Sequence, residues 1–358
     1  MISNRCARKS LVTNCNSITS KNYLQFLVDS NVTESLIKNF ESMKKVMLLA
    51  GFCSLLAACQ SEKEPEYTTP SDSMPMYLEA SIASGRVTSR TTVTEEGNSS
   101  FMETDRIGFF HPDAVEACCW EYDGANWNTA SDLNWENKVE SFHFCAFYPY
   151  QEGAVRTAVP MPDLSAQTGE LDHVGNLDFL AGHCDASYSD GGGIVSFTGA
   201  DAFQHVYAML KIVVNKNEAD DNMTVHTVKY EGEDIVTPHT YCFGDNFTAD
   251  ELVKDPSPVS TLTLTPEASV DEGGYTIVVL LNPVTLSTSL NLTFEYTRNG
   301  ISYTASTDKL GTEFTGGKLY EYTLRLKKED IIIEGNAISN WDSMVGEDIW
   351  VDENHTSD

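Results

Sequence analysis

Apolar and polar residues alternate one by one over much of this chain. Met76, Leu78, Ala80 and Ile82 point one way while Tyr77, Glu79, Ser81 and Ala83 point the other, the period-two pattern of a half-buried strand. Leu290, Leu292, Phe294 and Tyr296 alternate without a break, as do Tyr320, Tyr322, Leu324 and Leu326. Further strands are predicted over Gly85–Thr94, Arg106–His111, Cys118–Tyr122 and Ser141–Tyr148, the last ended by Pro149. Later in the chain they are predicted over Ile194–Phe197, Phe203–Val214, Thr224–Tyr230, Thr261–Thr265 and Tyr275–Leu281. Asp123-Gly124 and Arg298-Asn299-Gly300 are hairpin turns between β-forming runs. Only short pieces such as Ala249–Lys254 read as helical. Ser187–Gly193 shifts to turn formers and marks a boundary. The pattern predicts an all-β chain of two antiparallel β-sandwich domains in tandem, over residues 76–190 and 194–358.

One stretch breaks the alternation. Val46–Leu56 is continuously apolar, follows Lys44 and Lys45, and leads into Leu56-Ala57-Ala58-Cys59, which resembles a bacterial lipobox. It is too short for a bilayer core, which takes about 20 residues. The reading is a lipoprotein signal peptide over residues 43–58, with cleavage before Cys59 and acylation of that cysteine. At about 0.8 kcal/mol per buried methylene, two or three acyl chains anchor a protein durably in the outer membrane. Residues 1–42 show neither alternation nor a helical face and are read as an upstream extension from a misassigned start, with Met43 the initiator. The rival is a cytoplasmic pre-segment removed with the signal. Residues 59–75 form an acidic, proline-bearing flexible tether. Its acidic cluster resembles the export tag of Bacteroides surface lipoproteins; an ordinary solvated linker is the alternative.

Charge narrows the partners. The 358 residues carry a net charge of −30, and beyond residue 45 there are 16 lysines and arginines against 50 acids, a net of −34. Such a surface repels nucleic-acid phosphates and anionic headgroups. At 41% hydrophobic the chain can nonetheless build a real core. Beyond Cys59 five cysteines remain, Cys118, Cys119, Cys145, Cys184 and Cys242, and neither their parity nor their spacing suggests a disulfide scaffold.

Catalytic motifs are missing. Gly311–Lys318 brushes against a phosphate-binding loop, but its lysine is one place late, Leu319 stands where Ser or Thr belongs, and the setting is β. Gly191-Gly192-Gly193 lacks the G-x-G-x-x-G spacing, and neither G-x-S-x-G nor H-E-x-x-H occurs. His143-x-Cys145, His183-Cys184 and Cys118-Cys119 could meet as soft metal ligands, yet none shows the paired spacing of a structural zinc site. His205 reads as a structural histidine. The acidic runs Glu218–Asn222 and Asp245–Glu251 lack the calcium-loop register and read as solvated loops. Glycoside hydrolysis would need a pair of carboxylates that fifty acids do not single out. No cofactor, metal or enzymatic activity is expected.

A series of local motifs resembles the fimbrillin family, the subunits of Bacteroidales type V pili. Phe101-Met102-Glu103-Thr104-Asp105-Arg106-Ile107-Gly108-Phe109 is similar to its F-x-x-G-D-x-I-G-v segment, with Thr104 where the family has glycine. Phe147–Tyr150 is similar to a-Y-Y-P-Y and Leu177–Ala181 to D-l-L-x-A. Phe203–Leu210 is similar to F-x-H-x-x-a-k-L, with Met209 in place of lysine, and Gly317–Tyr322 to G-k-x-Y-x-Y. The resemblance implies transthyretin-like, Greek-key sandwiches and a surface pilus subunit or accessory adhesin. It also implies that a trypsin-like protease removes the lipidated N-terminus with the first strand, here after Arg86 or Arg90, so that another pilin subunit's strand can fill the gap. Both arginines could equally be solvated residues on a strand face. Glu329–Asp358 could be an exchangeable donor or the last strand of its own domain. The alternative function is a non-polymerising lipoprotein that binds surface glycans through Trp120, Trp127, Trp135, Trp341 or Trp350.

Overall fold

The computed structural model describes residues 73–83, 99–112, 114–219, 221–244 and 249–341. Cys59, Arg86, Arg90, Trp350, the expected leader and the run Gly85–Thr94 lie outside them. The described chain is all-β. Its first nine strands are β1 (Tyr77–Ala80), β2 (Arg106–Phe110), β3 (Cys118–Tyr122), β4 (Trp127–Asn128), β5 (Phe142–Tyr148), β6 (Val159–Pro160), β7 (Leu180–Ala186), β8 (Ile194–Phe197) and β9 (Gln204–His205). Six form an antiparallel sheet in the order β4-β3-β2-β5-β7-β9, while β1 and β8 make a separate parallel pair.

Both faces of the six-stranded sheet are covered. Ile107, Phe109, Phe144, Ala146, Tyr148 and Leu180 face a first core with Leu78 of β1 and Val195 and Phe197 of β8. Their neighbours Phe110, Cys145, Phe147, Phe179 and Ala181 belong to a second, larger core. A strand buried on both faces has no polar side to alternate with, which is why Phe142–Tyr148 is an almost unbroken apolar run. The first core also reaches past the glycine stretch 191–193, because β8 pairs in register with β1 and Phe203 packs beside it. The six-stranded sheet is thus a layer common to both cores.

The remaining strands are β10 (Ala208–Asn215), β11 (Met223–Glu231), β12 (His239–Cys242), β13 (Glu251–Lys254), β14 (Thr261–Leu264), β15 (Ala268–Ser269), β16 (Tyr275–Leu281), β17 (Val284–Thr285), β18 (Asn291–Arg298), β19 (Ile301–Thr307), β20 (Glu313–Phe314), β21 (Lys318–Lys327) and β22 (Asp330–Asn340). Two larger sheets, β16-β10-β21-β22 and β14-β11-β18-β19 with β15 also on β11, share the second core. The central pair β10–β21 is parallel. Two expectations change here. Phe203–Val214 is two strands, because the chain crosses between sheets at Val206-Tyr207, where the Tyr207 hydroxyl donates to the Pro162 carbonyl at 2.9 Å. Ala249–Lys254 is not helical: Glu251–Lys254 pairs along its whole length with β12. The longer of the two α-helices among the described residues, α1 (Leu171–Leu177), buries only Val174, too narrow a stripe for periodicity to report; the other is the four-residue α2 (Tyr188–Gly191).

The hairpin between β18 and β19 is built as its sequence demands. Asn299 at φ 52° and Gly300 at φ 79° occupy the left-handed region that a two-residue turn of this kind requires. Asp221, 4% exposed, fastens it: its carboxylate accepts from Arg298 Nε at 2.7 Å, Asn299 Nδ2 at 3.0 Å and the Glu218 amide at 2.9 Å. Burial alone would push the Asp221 carboxyl up, but these donors outweigh it and hold it below the ordinary carboxylate range. A carboxyl depressed on folding adds stability above its unfolded value near 3.8, and that stability is lost as pH falls through the lower folded value. Asp221→Asn is expected to cost about 2 kcal/mol at neutral pH. The same variant should flatten the acid limb of a Tm-against-pH curve; a variant as acid-sensitive as the parent would refute this role.

Candidate functional site

The alternation of Met76–Ile82 produces a strand with one committed face. Met76, Leu78 and Ile82 are 5–6% exposed in the first core, while Tyr77 is 56% exposed. β1 runs parallel to β8 from Tyr77 opposite Ile194 to Ala80 opposite Phe197. The pairing is prolonged by the Tyr77 amide to the Gly193 carbonyl, and by Ser81 and Phe203 bonding at the other end. On its opposite edge, among the described residues, only the entry to the strand is tied, through Met76 to Leu133 and Trp135 to Met74. Among the described residues β1 therefore has a single ladder partner. Burial of three such apolar side chains is worth roughly 5–9 kcal/mol as an upper bound. That is comparable with the whole stability of an ordinary domain, about 5–15 kcal/mol.

The sequence motifs meet in pairs. The Tyr148 hydroxyl donates to Asp105 at 3.2 Å, and Gly108 sits opposite Phe147 in the β2–β5 register. His205 Nδ1 lies 2.7 Å from Asp178, both buried, and the Gly317 amide donates to the Tyr207 carbonyl at 2.9 Å. Thr104, in the glycine position of the first motif, keeps the left-handed backbone at φ 78°, a strained conformation for a β-branched residue.

The candidate ligands separate into those that meet and those that do not. His143 Nε2 is 3.0 Å from His183 Nδ1, and Cys145 Sγ is 3.4 Å from the same nitrogen. Two residues that spacing along the chain does not point to complete the group: Asp185 on His143 and Asp250 on His183. Burial pushes the His183 imidazole down, but hydrogen bonds to Asp250 and Cys145 and their charges outweigh it and bring it up to about 9. Cys184 points the other way, into the first core, and Cys118 and Cys119 lie half-buried on β3. All five cysteines of the described residues are free thiols. Gly311–Lys318 leads into β21 and has no helix to present to a phosphate. Trp120, Trp127, Trp135 and Trp341 are all buried, at 0–8% exposure, so none offers a ring to a sugar. A surface recess beside Met76 and Trp135 has no room for even a water-sized sphere, far short of the roughly 300 Å³ at which ligand pockets begin.

The model of the fimbrillin-like family matches residues 88–341, well over half of the sequence. The chain belongs to the fimbrillin-like family. No curated relative matches it. Among solved structures, a candidate cell adhesion protein of Bacteroides uniformis superposes with a TM-score of 0.54 at 16% identity, over 75% of this chain and 99% of that one. At that identity the likeness bears on the fold alone. A candidate cell adhesion protein of Bacteroides ovatus gives 0.48 at 16% identity, over 75% of this chain and 98% of the other. The tip fimbrial protein Mfa3 of Porphyromonas gingivalis, truncated at its C-terminus, gives 0.40 at 12% identity, over 74% and 99%. These two fainter likenesses add nothing to the fold argument. The motifs that resemble the fimbrillin-like family's meet within this fold, Asp105 with Tyr148, Gly108 with Phe147, Asp178 with His205 and Tyr207 with Gly317.

Proposed function

We propose that this protein is a non-catalytic pilus subunit or accessory adhesin of the cell surface, assembling by strand exchange. It is delivered as an outer-membrane lipoprotein acylated at Cys59. A trypsin-like protease cuts after Arg86 or Arg90 and releases the segment that carries β1. Loss of β1 uncovers the apolar surface that Met76, Leu78 and Ile82 occupy and frees one edge of β8. A strand with apolar residues at alternate positions, supplied by another pilin subunit, restores both the burial and the hydrogen bonds. The observation that carries this reading is β1 itself: it fills a core yet, among the described residues, is laddered to one neighbour only. Glycan binding has less to support it, since four of the five tryptophans that prompted it are packed inside and Trp350 lies outside the described residues.

Limited digestion of the purified chain with a trypsin-like protease tests the proposal. Trimming after Arg86 or Arg90 is expected to yield oligomer ladders that persist in detergent, because each inserted strand recovers several kcal/mol of burial. Clean trimming to a homogeneous monomer would sink the strand-exchange reading.

A further inference from the structure

Strand exchange makes no use of the cluster formed by His143, Cys145 and His183. Register assembles it: β5 and β7 run antiparallel with Cys145 opposite His183 and His143 opposite Asp185, and residues two apart along a strand share a face. The spacing rule for zinc sites looks along the chain, whereas these donors gather across two strands.

Their separations suit a metal. The His143 Nε2 to His183 Nδ1 distance is 3.0 Å, the Cys145 Sγ to His183 Nδ1 distance is 3.4 Å, and the three atoms lie within 4.8 Å of one another. A tetrahedral zinc ion, with bonds of about 2.05 Å to nitrogen and about 2.3 Å to sulfur, sets such pairs at roughly 3.3 and 3.6 Å. Each short pair has to open by only a few tenths of an ångström. The outward nitrogens are both taken by carboxylates. His143 Nδ1 lies 2.7 Å from Asp185 Oδ1, and His183 Nε2 lies 2.8 Å from Asp250 Oδ2. Asp250 is in turn held by the Gly244 amide at 2.8 Å and by the Tyr241 hydroxyl. A carboxylate on the outer nitrogen fixes the ring and makes the inner nitrogen the better donor, as metal-bound histidines require. Cys145 is fully buried, while the side chains of His143 and His183 are 17% and 33% exposed, so an ion has access from the imidazole side.

We propose that His143 Nε2, His183 Nδ1 and Cys145 Sγ bind one zinc(II) ion, with Asp185 and Asp250 orienting the two imidazoles and a fourth position left to water. Binding releases to solvent the Cys145 thiol proton and the proton shared between the imidazoles. The ion ties the six-stranded sheet to the segment that leads into β13, since Asp250 immediately precedes that strand.

Cobalt(II) titration of the chelator-treated whole chain tests this. One equivalent should bind with the intense visible absorption of tetrahedral cobalt and a thiolate charge-transfer band, both abolished when zinc(II) displaces it. Cys145→Ser should remove the charge-transfer band. Asp185→Asn, on a carboxylate that is 70% exposed and so dispensable for folding, should weaken affinity by about 10- to 100-fold. Weak octahedral absorption, a band that survives Cys145→Ser, or parental affinity in Asp185→Asn would overturn the site.

Discussion

Trp341→Ala is expected to destabilise the chain by about 3–5 kcal/mol, the range for emptying a fully buried tryptophan site. Trp341 is 0% exposed and follows the last strand, β22, directly. Its ring lies flat on His205, centroid to centroid 4.0 Å with 4° between planes, and its amide donates to the Gly317 carbonyl at 2.8 Å. His205 belongs to β9 of the six-stranded sheet and is held from behind by Asp178. The stack thus pins the end of the β21–β22 pair to a different sheet and adds about 0.5–1.5 kcal/mol beyond burial. Denaturant midpoints measure the total. Amide exchange then locates it, with β22 expected to open before β5 in the variant. Trp341→Phe keeps a ring over His205 and should recover more than half of the loss. A loss under 1 kcal/mol in Trp341→Ala would mean that the stack is not what holds β22.

That latch bears on how the last strand is read. The sequence leaves open whether Glu329–Asp358 is an exchangeable donor or the closing strand of its own domain. Residues 330–340 pair with β21 through a bulge near Thr323, and Trp341 fixes their far end, so this stretch is engaged in its own fold. Alternation found β18 and β21 because each has a dry face and a wetter one, while β19 was implied only by the Asn-Gly turn that leads into it. The same criterion finds β5 without its partners, since a strand buried twice carries no directional signal. It could not report that β1 pairs in parallel with β8, more than a hundred residues away, because period two states which face is apolar and not which neighbour supplies the ladder. The histidine and cysteine cluster was half legible. His143-x-Cys145 lies on one face of a strong strand, but His183 was singled out with Cys184, which faces the other core, and only the β5–β7 register sets Cys145 opposite His183. Asp250 stands in the acidic run Asp245–Glu251, whose local pattern says nothing of an imidazole partner. It reaches His183 because β12 and β13 fold back over the sheet, with Tyr241 and Phe243 packed in the larger core.

Gly108→Ala is expected to cost about 3 kcal/mol, at the upper end for overfilling a packed interior. A β-carbon at this position would lie 2.2 Å from both Cε1 and Cζ of Phe147 and 2.9 Å from its Cδ1. The ring has no room to withdraw. Phe147 is 0% exposed and packed among Phe110, Phe179 and Phe243, at centroid distances of 5.7, 6.2 and 6.5 Å. Gly108 and Phe147 are cross-strand partners, one from the I-G of the first family motif and the other from the aromatic strand end of the second. The glycine is therefore read as space for its partner's ring, not as a flexible turn. Gly335→Ala is the matched control, because nothing lies within 4 Å of its added carbon, and it should stay within about 0.5 kcal/mol of the parent. In a double-mutant cycle, Phe147→Leu should absorb much of the Gly108→Ala penalty and give a coupling energy of about 1–3 kcal/mol. If the two losses simply add, the motif's glycine answers to some other neighbour, and the pairing of motifs across β2 and β5 is not what selects it.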